Sequence, residues 1–264
     1  MSTVIAAVPA PEALAALVDV LAARAASGAD ATGLAETARR AFAAERPGPL
    51  PDHWWLAVPG ETYEEAFTVL GLHDRIPVTV RYGLAAQEDD EKADDEKDTP
   101  EPVHRVFVTP EYAGWRLIYA ESPLRETTWW PHDVVVRLSA ACGKAQVFFQ
   151  DPFADSVIWA AAEHGALVRG YWRADDPEWT GEPFPWESLP GAAGSEGETD
   201  DDDDDDDDDA EPNASRVTSI SAAAAGLSVD PAAITAETPV RGHGWLALTA
   251  PGAGHDGFEG APEL

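Results

Sequence analysis

The sequence predicts an α+β fold: an antiparallel sheet of about five to six strands with a helix packed on one face, plus an N-terminal helical hairpin. Three observations predict it. Short apolar runs between residues 103 and 172 are joined by links of turn length, which favours antiparallel pairing. One run of helical period, Asp133–Cys142, interrupts them and stops at Gly143. Two further helical runs precede residue 46.

Taken in order, Pro11–Ala26 places Leu14, Leu17, Val18 and Leu21 on one helical face and ends at Ser27-Gly28. Thr32–Ala44 reads as the second helix, with Leu34, Ala38, Ala41 and Phe42 inward. Residues 1–50 are thus the hairpin, and 51–87 a mixed segment beside the core. In that segment His53–Val58 is extended, Tyr63–Leu70 helical, and Ile76–Leu84 alternates as a strand. The core domain is expected over 102–190 and 213–250. It holds strands at Val103–Val108, Trp115–Tyr119, Ala145–Gln150, Ser156–Ala162 and Ala166–Trp172, with the helix Asp133–Cys142 among them. Trp115, Phe148, Trp159 and Trp172 are expected buried in one layer that meets Leu138 of that helix. Asp175–Pro190 reads as irregular, Ser215–Ala225 as a helix and Gly244–Thr249 as a last strand. Residues 251–264 are expected to be loose.

The net charge of −32 is concentrated rather than spread. Glu88–Glu101 holds nine acids against two lysines, and Glu196–Glu211 thirteen acids and no base, so these tracts carry most of the excess. The expectation is an acidic loop over 88–101 and a disordered poly-Asp insertion over 191–212. The insertion contains Asp200, Asp201, Asp202, Asp203, Asp204, Asp205, Asp206, Asp207, Asp208 and Asp209. Such acidity argues against direct binding to nucleic acid or anionic membranes. With Cys142 as the one cysteine, no intrachain disulfide forms, and its apolar setting reads as a buried inert thiol. No signal peptide or membrane span is read, so a cytoplasmic protein is expected.

Four pieces in order, VFVTPEYAGWRLIYA (106–120), RLSAACGKAQVFF (137–149), SVIWAAAEHGALVRGYW (156–172) and LSVDPAAITAETPVRGHGWLALT (227–249), give the chain a family likeness. It resembles a group of uncharacterised actinobacterial proteins over about half its length. The resemblance implies a shared architecture in which 215–249 completes the core domain and the poly-Asp tract is an insertion. It implies no activity. Cys142-Gly143 departs from the aromatic-Gly pair more usual there.

No nucleophile elbow, phosphate loop or dinucleotide motif is present, and the seven histidines keep no metal spacing. No catalytic residue, metal or cofactor is expected. Trp54, Trp55, Trp129 and Trp130, with His132, read as an exposed aromatic patch that contacts a partner. The function expected is that of a non-enzymatic acidic protein that binds or regulates a basic protein partner. The alternatives are a nucleic-acid-mimicking inhibitor, which rigid and regularly spaced acid would support, or an enzyme of unrecognised class.

Overall fold

The computed structural model describes residues 31–95, 103–120, 131–151, 156–173, 177–188 and 218–252. The first helix expected for the hairpin, the expected poly-Asp insertion and residues 253–264 of the expected tail lie outside these residues. The chain opens with α1 (Ala31–Ala44), whose Ala38 and Phe42 point inward as expected. There follow β1 (Trp54–Pro59), α2 (Tyr63–Val69), β2 (His73–Val78) and α3 (Val80–Asp95). Next come β3 (Arg105–Val108), β4 (Glu111–Tyr112), β5 (Trp115–Ala120) and α4 (Pro131–Cys142). A meander of β6 (Lys144–Asp151), β7 (Ser156–Glu163), β8 (Ala166–Arg173) and β9 (Glu178–Thr180) leads to a 3-10 turn, Pro185–Ser188. The last elements are α5 (Ile220–Leu227), a second 3-10 turn at Pro231–Ala233, β10 (Val240–Arg241) and β11 (Gly244–Leu248).

The architecture is mixed helix and antiparallel sheet, but the sheet is larger than expected. Eleven described strands join it, in the order β2-β11-β3-β5-β1-β6-β7-β8-β9, with β4 bridging β5 and β10. The enlargement comes from β1 and β2, which long-range pairing recruits, and from the short strands β4, β9 and β10. β1 runs between β5 and β6 in the middle of the sheet, with Leu56 opposite both Ile118 and Val147. β11 lies between β2 and β3.

Because side chains alternate along a strand, each strand feeds two cores. On one face Trp55, Phe107, Leu117, Tyr119, Phe148 and Trp159 meet α1, α3 and α5 through Phe42, Tyr82, Ala86, Ile220 and Ala223. On the other, Leu56, Val106, Ile118, Val147 and Ala160 meet α2 and α4 through Phe67, Val134, Val135 and Leu138. Helices therefore cover both faces rather than one. Leu138 belongs to the face opposite Phe148 and Trp159, so the single layer expected for these residues is corrected. Phe148 and Trp159 are fully buried, whereas Trp115 and Trp172 are only partly so.

Local signals set several boundaries. Gly143, at φ +82°, ends α4 where no side chain is favoured. His164 and Gly165 both have positive φ and form the two-residue turn between β7 and β8. Ser139 Oγ accepts from the Gly165 N–H at 3.0 Å, which ties that turn to α4. The helix expected from Ser215 starts at Ile220, because Ser219 caps it by accepting from the Ala222 N–H.

Ile76–Leu84 is not one strand. It ends at Val78, and Thr79 Oγ1 accepts from the Tyr82 N–H at the entry to α3. Glu45 Oε1, from the exit of α1, accepts from the Val80 N–H at 2.5 Å. The alternation of Val78, Val80 and Tyr82 is overridden by this double cap and by the helix formers that follow, Leu84-Ala-Ala-Gln87.

Candidate functional site

The aromatic patch expected from the sequence does not form at Trp54 and Trp55. Trp54 is 8% exposed and Trp55 0%, and the two indoles enter opposite cores of β1. Adjacent residues on a strand point to opposite faces, and helices cover both here, so neither indole reaches a partner. Trp55 instead stacks on Phe148, with ring centroids 4.7 Å apart. Trp129 and Trp130 lie outside the described residues, as do Asp200–Asp209. His132 is placed on the first turn of α4.

The first acidic tract is also corrected. Residues 88–95, expected at the start of a loop, continue α3. Their anchor is Asp90, whose carboxylate accepts from Arg105 Nε at 2.9 Å, from the Arg105 backbone N–H at 3.1 Å and from Arg105 Nη2. Gln87 Nε2 donates to the Arg105 carbonyl one turn earlier, at 2.8 Å. Six acids stand on α3 from Glu88 to Asp95, against Lys92 alone. At a rise of about 1.5 Å per residue, they occupy little more than two turns.

A second constellation sits where β5, β2, α2 and the β10–β11 turn converge. Arg116, on β5, is 5% exposed. Its guanidinium lies 3.9 Å from the centre of the Tyr63 ring. Its Nη1 donates to the Thr109 carbonyl at 2.5 Å and to the His243 carbonyl at 2.9 Å, while its Nε is buried with no acceptor. Arg75, on β2, lies 4.7 Å from both the Phe67 and the Trp245 rings and pairs with Glu64 at 2.6 Å. Arg241 pairs with Glu111 at 3.2 Å. His243 packs on Trp245, 4.5 Å between centroids. Burial, with Arg116 and Arg75 adding repulsion, holds the His243 imidazole down at about 4. It is therefore neutral at physiological pH.

A third site is a cleft of about 190 Å³ over the ends of β6 and β7, lined by Gln146, Lys144, Glu163, Phe184, Trp186 and Leu227 among others. Its aromatic wall is held by a buried ion pair. Arg169 Nε and Nη2 donate to the two oxygens of Glu187 at 3.1 and 2.9 Å, and Arg169 Nη1 donates to the Gly181 carbonyl at 2.8 Å. Trp186 lies against Gly226, where a β-carbon would come within 2.5 Å of the indole.

The three buried arginines escaped the sequence reading. The signal was present: Arg105, Arg116 and Arg169 each interrupt an otherwise apolar strand, in HRVFV, WRLIYA and LVRGYW. Cys142 is buried, and desolvation pushes its thiol up to about 11, which keeps it protonated and inert. Among the described residues no group of three or more His, Cys, Asp or Glu side chains gathers to hold a metal, and no helix is long and apolar enough to cross a membrane. Compared with known proteins, the chain matches no family model, no curated protein and no solved structure.

Proposed function

We propose that this chain is a non-enzymatic acidic protein that binds a basic protein partner and regulates it. The observation that supports this reading is the acidic end of α3. Its acidic residues belong to a helix fixed to the sheet by Asp90 and Arg105, so this part of the chain is ordered before any partner arrives. A concentrated acidic surface raises the encounter rate with a basic partner. In this reading the poly-Asp run adds to the steering field. Trp129 and Trp130, with His132 beside them, supply the short-range contacts.

The test is kinetic. A basic partner captured by the full chain is measured against wild type, a variant with Glu88, Asp89, Glu91, Asp94 and Asp95 changed to their amides, and a deletion of Asp200–Asp209. Both variants are expected to associate several-fold more slowly at low salt, with a flatter salt dependence and a nearly unchanged dissociation rate. Trp130→Ala is expected to speed dissociation instead. Association rates equal to wild type in both charge variants would remove the proposal.

Acid carried on an ordered helix also favours a second reading, a nucleic-acid mimic. There the partner is a nucleic-acid-binding protein, and duplex DNA or RNA displaces it from this chain competitively. A partner that holds nucleic acid and this chain at once excludes the mimic while leaving the broader reading standing.

A further inference from the structure

Three arginines are buried in the sheet, and two of them share one pattern. Arg169 spends Nη1 on backbone carbonyls and presents Nε and Nη2 side-on to both oxygens of Glu187. Arg105 presents the same Nε/Nη2 edge to Asp90. Arg116 has the first half of the pattern only. Its Nη1 is spent on two carbonyls, while its Nε is buried with no hydrogen-bond partner among the described residues. The Nε/Nη2 edge is the one whose two parallel N–H bonds match a carboxylate or a phosphate.

The surroundings agree. The carboxylates nearby pair with other cations, Glu64 with Arg75 and Glu111 with Arg241, and among the described residues Arg116 itself forms no ion pair. Burying a cation without a counter-ion is costly, and its two sheet counterparts each have one. Gly242, at φ +70°, packs closely against this edge: a β-carbon there would lie 2.8 Å from Nη2. The Tyr63 ring covers one face of the guanidinium.

We propose that the Nε/Nη2 edge of Arg116, under the Gly242–His243 turn, binds an external oxyanion, a phosphate or carboxylate group taken in the manner of Glu187 on Arg169. It is a localised cationic site in a chain of net charge −32, and it stands independently of the acidic surface proposed above.

The experiment titrates the full chain with inorganic phosphate and, separately, with acetate, at constant ionic strength made up with chloride. The arginine Nε–H resonances are followed by 1H–15N NMR, with that of Arg116 assigned from Arg116→Lys. The expected result is a saturable shift of the Arg116 resonance with one or both anions, the responding anion identifying the group recognised. Arg116→Lys, which keeps the charge and loses the edge, is expected to weaken binding at least tenfold, measured by calorimetry. Gly242→Ala, which crowds the edge without changing charge, is expected to do the same. Circular dichroism establishes that both variants fold. The wild-type titration decides the matter even if they do not. A wild-type Arg116 resonance that moves with neither anion, or moves equally with chloride, overturns the proposal. So does undiminished binding by folded Arg116→Lys.

Discussion

Glu45 links the exit of α1 to the entry of α3, and its ionisation is tuned by that position. Burial raises its carboxyl from 4.5 to about 7, against the opposing pull of the Val80 and Arg81 N–H groups. A folded-state value above the unfolded one means the native state keeps a proton that the unfolded chain has lost. The stabilisation is therefore complete below about pH 4.5 and is lost as pH rises through about 7. Its size is on the order of 2–3 kcal/mol once partial exposure is discounted. Urea unfolding of Glu45→Gln from pH 4.5 to 8 is expected to show a flatter pH dependence than wild type. Parallel curves would show that Glu45 ionises normally. At this scale the sequence was legible where one side chain has one role: Cys142 is the inert buried thiol it was read as. It misled at Trp54-Trp55, because a dipeptide does not reveal whether the sheet carrying it is covered on one face or two.

Among the elements, α3 departs most from its expected form. Alternating β-branched residues at its start and dense acid at its end both argued against a helix. Tertiary partners decided otherwise, with Thr79 and Glu45 at its entry and Arg105 along its flank. Asp90→Ala leaves the Arg105 guanidinium buried without its carboxylate, a loss of about 3–5 kcal/mol. Loss of protection from hydrogen exchange is expected to spread from residue 90 through the end of α3, while Asp89→Ala, one position away, changes little. Equal effects of the two would show that the clasp does not hold the helix. The meander β6–β8 forms as expected, but Tyr171 rather than Trp172 shares the core of Trp159. Phe148 and Trp159 face each other across β6 and β7, and both are fully buried. Trp159→Ala is expected to lower stability by about 3–5 kcal/mol, read as a fall in denaturant midpoint. An unchanged midpoint would mean that the indole does not face the core.

For the whole molecule, legibility followed sequence separation. Pairings closed by short links, β3 with β5 and β6 with β7 and β8, were visible because turn residues and period-2 runs are local signals. The placement of β1 between β5 and β6, and of β11 between β2 and β3, depends on partners far away in the chain and leaves no local mark. The helical cover of both faces follows from those same placements, so the single-faced model failed with them. For the Arg116 constellation, each residue type is ordinary. Only the meeting of β5, α2 and the β10–β11 turn leaves the Arg116 Nε buried with no hydrogen-bond partner among the described residues.

The position of β11 also constrains when the sheet can be completed. Among the described strands β2 is linked to the sheet through β11 alone, yet more than 160 residues separate the end of one from the start of the other. While the chain is being synthesised, β2 has already left the ribosome when most of its neighbours in sequence emerge, and it has no strand to join until Gly244–Leu248 appears. Closure of that long loop carries an entropic cost that grows only slowly with its length. A stretch of the length of 191–212 inside the loop therefore adds little to the equilibrium cost of folding. Its consequence is temporal: it postpones the moment at which the edge of the sheet is sealed.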